Sequence, residues 1–284
     1  MTLKKIKEIR NFILHLRLPY NFLLLTGPFL AGALFSQRTN LVRFIFYYIV
    51  FFVFFMGGVN AYNSYYDRDT GPIGGLKYPP KMKGWMLYAA IGMQITALIL
   101  SIKNILLFWI ILISMVLSVS YSHPSIRLKA KPIESLILIF FSVIMGFLAG
   151  FFAYGGINPE FPLIIISIGV SMIITGIYPI SQAYQTKEDL KRGDKTFFVK
   201  YGYSISVKLF FVMYILSTIF IGMGIYLINW FVSLVYAFFS MIIFLILNRK
   251  ISHLKLDYNN TMRLKYLASG LFIIVIAILF LIKL

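Results

Sequence analysis

Long apolar runs constrain this chain more than any other feature. A helix needs about 20 mainly apolar residues to cross the hydrocarbon core of a bilayer. In lipid, backbone groups must be satisfied internally, so a run of this length spans as a helix. Such runs fall at about 20–36, 42–66, 85–102, 105–122, 135–154, 162–184, 206–228, 230–248 and 266–282. With 60% hydrophobic and 13% charged residues among 284, the chain lacks the polar shell to bury these runs in water. The expected fold is all-α: a polytopic membrane protein of about nine transmembrane helices, forming a single membrane domain over 1–284. Residues 1–19 carry Lys4, Lys5, Lys7, Arg10 and Arg17 with no small-residue cleavage site after them, and read as an uncleaved basic amphipathic start. The absence of cysteine excludes disulfides, thiolate metal sites and a cysteine nucleophile.

The net charge of +18 would suggest nucleic acid in a soluble protein. Its distribution argues otherwise. With nine spans and the N-terminus inside, 23 of the 27 Lys and Arg residues fall on one side, leaving Arg38, Arg43, Lys103 and Lys283 opposite. This is the positive-inside pattern of a membrane protein, so no nucleic-acid partner is expected and the basic face is expected to be cytoplasmic. The expected location is the cell membrane of a bacterium or archaeon. The acids are more informative, because they do not set orientation. Of nine, five (Asp67, Asp69, Glu188, Asp189, Asp194) lie in two inside loops, 67–84 and 185–205.

Each loop continues a polar helix end. Asn60, Asn63 and Asp67 are spaced i, i+3, i+7, as are Gln182, Gln185 and Asp189, so each trio shares one helix face. A glycine follows each Asp by four residues, Gly71 and Gly193. The copies lie four spans apart and therefore on one membrane side. This predicts a duplicated four-helix unit plus a ninth helix. A plain polar helix interface would explain either copy alone, but not both in register.

Oxygen-rich motifs facing each other suit Mg2+, which binds through a few carboxylates plus phosphates and water. The expected metal ligands are Asp67 and Asp189, which are also the expected catalytic residues, supported by Asp69, Glu188 and Asp194. Asn60, Asn63 and Gln185 would contact a diphosphate, with Lys77 in the turn-rich loop Gly71–Pro80 and with Arg127 and Lys129 after the fourth span. Tyr121, Tyr66 and Tyr178 would line an acceptor or cation pocket, ring faces being able to stabilise an allylic cation.

At these residues the chain resembles the UbiA superfamily of intramembrane prenyltransferases. Asn63 and Asp67 match its first signature, Asn-Asp-x-x-Asp-x-x-x-Asp, with Ser64 and Gly71 at two Asp positions; Gln185 and Asp189 match its second, Asp-x-x-x-Asp, with Gln for the first Asp. Tyr121-Ser-His-Pro-Ser-Ile-Arg127-Leu-Lys129 resembles the family's loop after helix four. The resemblance implies nine helices, Mg2+ and transfer of a prenyl group from a polyprenyl diphosphate to an acceptor within the bilayer. An aromatic, quinone-precursor acceptor is favoured by the Gly71 variant. Two rival classes fit less well. A transporter or lipid carrier with an anion site at the cytoplasmic face would put acids in mid-span. A CDP-alcohol phosphotransferase would carry an Asp-Gly-x-x-Ala-Arg signature, which is absent.

Overall fold

The computed structural model describes residues 3–36 and 40–281. Arg38 and Lys283, two of the four basic residues expected on the outer side, lie outside this range. The described chain is helical, with α1 (Leu3–Leu16), α2 (18–34), α3 (Leu41–Asp67), α4 (Gly84–Ser101), α5 (Ile105–Ser122), α6 (Pro132–Tyr154), α7 (Phe161–Ser181), α8 (Thr186–Arg192), α9 (Phe197–Tyr226), α10 (Trp230–Ser252) and α11 (Tyr258–Leu281). Eight helical segments among the described residues have the length and hydropathy to cross a membrane. The shorter α2 makes the ninth membrane helix.

Three helices depart from regular α geometry, one of them α9, kinked at Gly202. Within α2 and α3, residues Asn21–Leu25 and Val50–Phe55 adopt i→i+5 hydrogen bonding. Such bulges redirect backbone carbonyls that lipid cannot satisfy. Asn21 meets this need: its Nδ2 donates to Phe52 O at 3.0 Å and to Leu16 O at 3.1 Å. Asn21 is therefore fully buried where a leucine would leave those carbonyls unanswered.

The helices run further than the hydrophobic runs. α11 begins at Tyr258, well before the apolar stretch expected from 266, and a short helical stretch from Phe197 joins the membrane-crossing part of α9 across a kink at Gly202 (φ 71°, ψ −173°). Hydropathy marks only the lipid-facing part of a helix; its hydrogen bonds continue into water. For the same reason the expected loop 185–205 is largely helix. A turn at Ala183–Gln185 leads into α8, and α9 follows after a cap in which Thr196 Oγ1 accepts from Val199 N.

Packing repeats with a shift of four membrane helices. α3 packs on α4 as α7 packs on α9; α4 packs on α5 as α9 packs on α10. The two halves meet where α2 crosses α6. A Cβ on Gly32 would lie 1.8 Å from the Phe147 carbonyl oxygen, and one on Gly150 would lie 1.8 Å from that of Phe29. The contact is thus reciprocal between the helices that open each half. Without Cβ atoms there, the two backbones approach closely, the usual role of small residues between membrane helices.

Gly150→Ala is therefore expected to destabilise the protein by about 1–3 kcal/mol, as overpacking does. A drop of several degrees in the detergent melting temperature would show it. Gly92→Ala, where an added Cβ meets nothing within 4 Å, should leave the melting temperature unchanged or slightly higher.

Candidate active site

A cavity of about 440 Å³ opens among the helix ends that carry the two motifs. Its body is apolar, walled by Phe51, Phe52, Phe55, Val143, Ile173 and Phe272 among others. Its mouth is charged: Asp67, Asp69, Asp189, Asp194, Lys129 and Arg192 all line it, with Asn60, Asn63, Gln182 and Gln185.

The end of α3 presents the first motif. Arg68 takes a left-handed conformation (φ 52°), which ends the helix and lets Asp69 turn back toward the cavity. Asp67, 8% exposed, pairs with Lys129 and lies 3.6 Å from Arg127. Asn63 Oδ1 accepts from Ser122 Oγ at 2.9 Å and from Lys129 Nζ at 3.3 Å. The segment after α5 is folded for this purpose: Arg127 is left-handed (φ 44°) and Lys129 sits in a 3-10 turn, Leu128–Ala130, that buries its side chain.

The second motif ends in a tight reversal. Gly193 takes φ 75°, a conformation that suits glycine, and Asp194 N donates back to Asp189 O at 2.9 Å. This sets Asp194 beside Asp189. Arg127 grips Asp194 with two donors at 2.9 Å. Arg192 reaches three carboxylates: Asp189 at 2.5 Å, Asp194 at 2.9 Å, and Asp69 from the other motif. Thr196 Oγ1 adds a bond to Asp189 at 3.3 Å.

Gly71 and Gly193 do not play equivalent roles, although their spacing matches. Gly71 makes room for a neighbour: a Cβ there would lie 2.9 Å from Glu188 Oε1. That oxygen accepts from Gly71 N at 2.5 Å, from Thr70 N at 3.2 Å and from Thr70 Oγ1 at 3.1 Å. Through this oxygen Glu188, expected as a metal ligand, pins the loop of the first motif to α8, while its Oε2 is buried with no hydrogen-bond partner. The loop then passes over the mouth, with Ile73 buried and Gly74 against the Tyr20 ring.

Other expected residues divide. Tyr121 and Tyr178 line the cavity and share a hydroxyl–hydroxyl bond of 2.8 Å. Tyr66 packs against Tyr62, Tyr65 and His123 instead, off the cavity wall. Lys77 is exposed and lies over the Tyr78 ring, because the loop turns it outward. Asn60 Nδ2 donates to Asn21 Oδ1 at 2.6 Å, so it supports the bulged helices as well as lining the cavity. Gln185 Nε2 reaches Pro72 O at 3.5 Å and Gln182 Oε1 accepts from Phe198 N at 3.3 Å, so both amides brace the backbone. Arg17, Tyr20 and Lys265 also line the cavity. No motif flagged them: Lys265 stands on α11, outside the repeat, and Arg17 and Tyr20 lie at the start of α2, away from both polar helix ends.

Electrostatics sharpen the picture. Burial, aided by the nearby Glu188 carboxylate, pushes the Asp69 carboxyl up to about 6 against the pull of Arg192. Burial also acts to raise Asp194, but the forks from Arg127 and Arg192 outweigh it and hold the carboxyl below its ordinary value. Among the described residues, no three acidic or imidazole side chains converge as a preformed metal centre. The donors are nevertheless all hard oxygens around one mouth. This fits an ion that completes its shell with phosphate oxygens and water, as Mg2+ does.

Glu188→Gln should loosen the loop. Hydrogen bonds to a charged group contribute about 1.5–3 kcal/mol each, so the Thr70 and Gly71 amides are expected to exchange hydrogen at least about tenfold faster. Unchanged exchange by mass spectrometry would refute the pinning role.

The profile of the UbiA prenyltransferase family matches residues 25–276. No curated protein sequence matches the chain. Among solved structures, a UbiA homolog from Archaeoglobus fulgidus bound to GPP and Mg2+ is similar with a TM-score of 0.73 at 19% identity, covering 95% of this chain and 99% of that one. The same homolog bound to DMAPP and Mg2+ gives 0.72 at 19% identity, over 94% and 99%. A digeranylgeranylglyceryl phosphate synthase gives 0.61 at 16% identity, over 98% of both chains. These likenesses are of fold, and the profile match spans most of the sequence: this chain belongs to the UbiA prenyltransferase family.

Proposed function

We propose that this protein transfers a prenyl group from a polyprenyl diphosphate to an aromatic acceptor, a quinone precursor, within the membrane and with Mg2+. One observation carries the reading: a single cavity joins a mouth of four carboxylates and paired cations to an apolar body. A diphosphate ester of an isoprenoid has the same two parts. Tyr121 and Tyr178, bonded to each other at the cavity lining, suit a planar acceptor.

Asp67, Asp69, Asp189 and Asp194 would hold Mg2+ together with the diphosphate. Bound Mg2+ supplies Lewis-acid stabilisation of the negative charge that grows on the leaving group. The side chains supply the rest. Arg127, Lys129 and Arg192 are bonded to these carboxylates. These three would offer their donors to the phosphate oxygens, where charge develops. The C1–O bond breaks with its electron pair leaving on pyrophosphate. The allylic carbon then bonds to the acceptor ring carbon, whose proton passes to pyrophosphate or water. The Tyr121 and Tyr178 rings face the cation as it forms, a contact of about 0.5–2 kcal/mol. The apolar body excludes water, which would otherwise capture the cation. The positive-inside bias supports placing this mouth on the cytoplasmic side.

Purified protein with Mg2+, labelled prenyl diphosphates and candidate acceptors tests the reading. Mg2+-dependent pyrophosphate release with a prenylated aromatic product is expected, and none with any pair would overturn it. Asp67→Asn and Asp189→Asn should each lower kcat/KM by about 100-fold or more, the usual scale for losing one such electrostatic contact.

A pH dependence follows from Asp69. Its carboxyl, at about 6, is protonated below that value and must lose the proton to become a ligand. Apparent Mg2+ affinity should therefore weaken as pH falls below 6, by at most about tenfold per unit for one proton. Asp69→Asn should flatten that slope. An unchanged slope in the variant would remove Asp69 from the ligand set.

A further inference from the structure

A second cavity, of about 430 Å³, lies at the other end of the helix that carries the first motif. It sits where α3 and α5 begin and α6 ends. Arg43 stands near the start of α3 and Asp67 at its end, so at 1.5 Å per residue about 36 Å of helix separates this cavity from the mouth. A ligand bound here is independent of the prenyl-transfer site.

Arg43, from α3, and Lys103, from the turn between α4 and α5, both line the cavity, with Asn40, Asn104 and Tyr154. Its lining holds no aspartate or glutamate among the described residues, whose ion pairs all use other cations. Arg43 and Lys103 are the two described members of the four basic residues expected on this side of the membrane. The positive-inside bias keeps this side poor in cations, so their convergence on one cavity calls for a reason.

Helix capping supplies part of one. Arg43 Nη2 and Asn104 Nδ2 both donate to Phe152 O, at 3.3 and 3.0 Å, and so close the last turn of α6. The guanidinium also lies 5.7 Å from the centre of the Tyr47 ring. A guanidinium has further N–H donors beyond the one engaged there. Lys103 is exposed, and its side chain makes no hydrogen bond or ion pair among the described residues, so α6 does not need it. The helix starts add positive potential and the end of α6 opposes it, so the two side chains decide the sign. Snorkelling would turn a lone lysine toward headgroups, but it would not bring a second cation from another helix to the same cavity. Exposed Ile105, Leu106 and Ile157 stand beside these charges, and Trp109 continues the exposed apolar face of α5. Charge and apolar surface therefore adjoin at a membrane edge.

We propose that Arg43 and Lys103 form a binding site for the phosphate of an anionic phospholipid headgroup. The phosphodiester would sit between guanidinium and ammonium, with its acyl chains running along α5 past Ile105 and Trp109. Basic pockets between membrane helices take lipid phosphates by such charge-assisted hydrogen bonds. A lipid held there ties α3, the α4–α5 turn and α6 together, and it stabilises the fold because it binds only the folded chain.

The test uses full-length protein in phosphatidylcholine vesicles that carry a trace of photoreactive phosphatidylglycerol. Illumination should label peptides around Arg43 and Lys103. One cation near a membrane surface contributes about 1 kcal/mol, so Lys103→Gln should lower that labelling about fivefold. Labelling of the cytoplasmic face, which also attracts anionic lipid, should stay unchanged and serves as the internal control. Lys103→Arg should restore the label, and photoreactive phosphatidylcholine should label this edge about fivefold less than phosphatidylglycerol does. Equal labelling of this edge in wild type and Lys103→Gln, or by the two lipids, would overturn the proposal. So would its loss on adding millimolar inorganic phosphate, because the occupant would then be a soluble anion. Lys103→Gln removes no bond from the protein, so its result does not depend on a damaged fold.

Discussion

The guanidinium of Arg192 touches carboxylates from both halves of the protein, and the site depends on it. Asp189 and Asp194 belong to its own motif, while Asp69 comes from the end of α3. Four acids around one partly buried mouth would repel one another and resist ionisation. Arg192, with Arg127 and Lys129, makes their ionised state tolerable before any ligand arrives. Removing one partner from a buried pair typically costs about 3–5 kcal/mol, because the other charge stays behind. The same cations that hold the carboxylates together would serve a diphosphate. Stability of the free protein and affinity for the substrate therefore draw on one set of side chains.

The duplication organises this arrangement without making it symmetric. Each half brings an Asp at the end of a polar helix face, yet Asp67 pairs with Lys129 while Asp189 pairs with Arg192. The matching glycines have diverged as well. One permits a left-handed reversal; the other permits a carboxylate to approach a backbone. A charged, elongated substrate has two different ends, so two identical half-sites would serve it poorly. The reciprocal crossing at Gly32 and Gly150 keeps the halves close enough for their motifs to meet.

Glu188 illustrates how a lost residue is compensated. The first family signature ends in an Asp where this chain has Gly71. Glu188 uses the space to bind the Thr70 and Gly71 amides. The loop over the mouth is thereby tied to the second motif as well as to Tyr20. Its position then becomes sensitive to both halves of the site.

By itself the sequence determined the fold class and the family. Runs of about 20 apolar residues in a chain with few charges allow little except membrane helices. The spacing i, i+3, i+7 fixes Asn60, Asn63 and Asp67 on one face whatever surrounds them. It also located the acids, because carboxylates at a membrane edge have few reasons to cluster except function. Tertiary structure decided who meets whom. Local spacing cannot tell that Asp69 finds Arg192, that Lys77 turns outward, or that Glu188 binds backbone; those outcomes depend on loop paths between distant helices. Arg17 and Lys265 look like ordinary positive-inside residues until folding brings them, 248 positions apart in the chain, to the lining of one cavity. Periodicity encodes a face, and only packing encodes a neighbour.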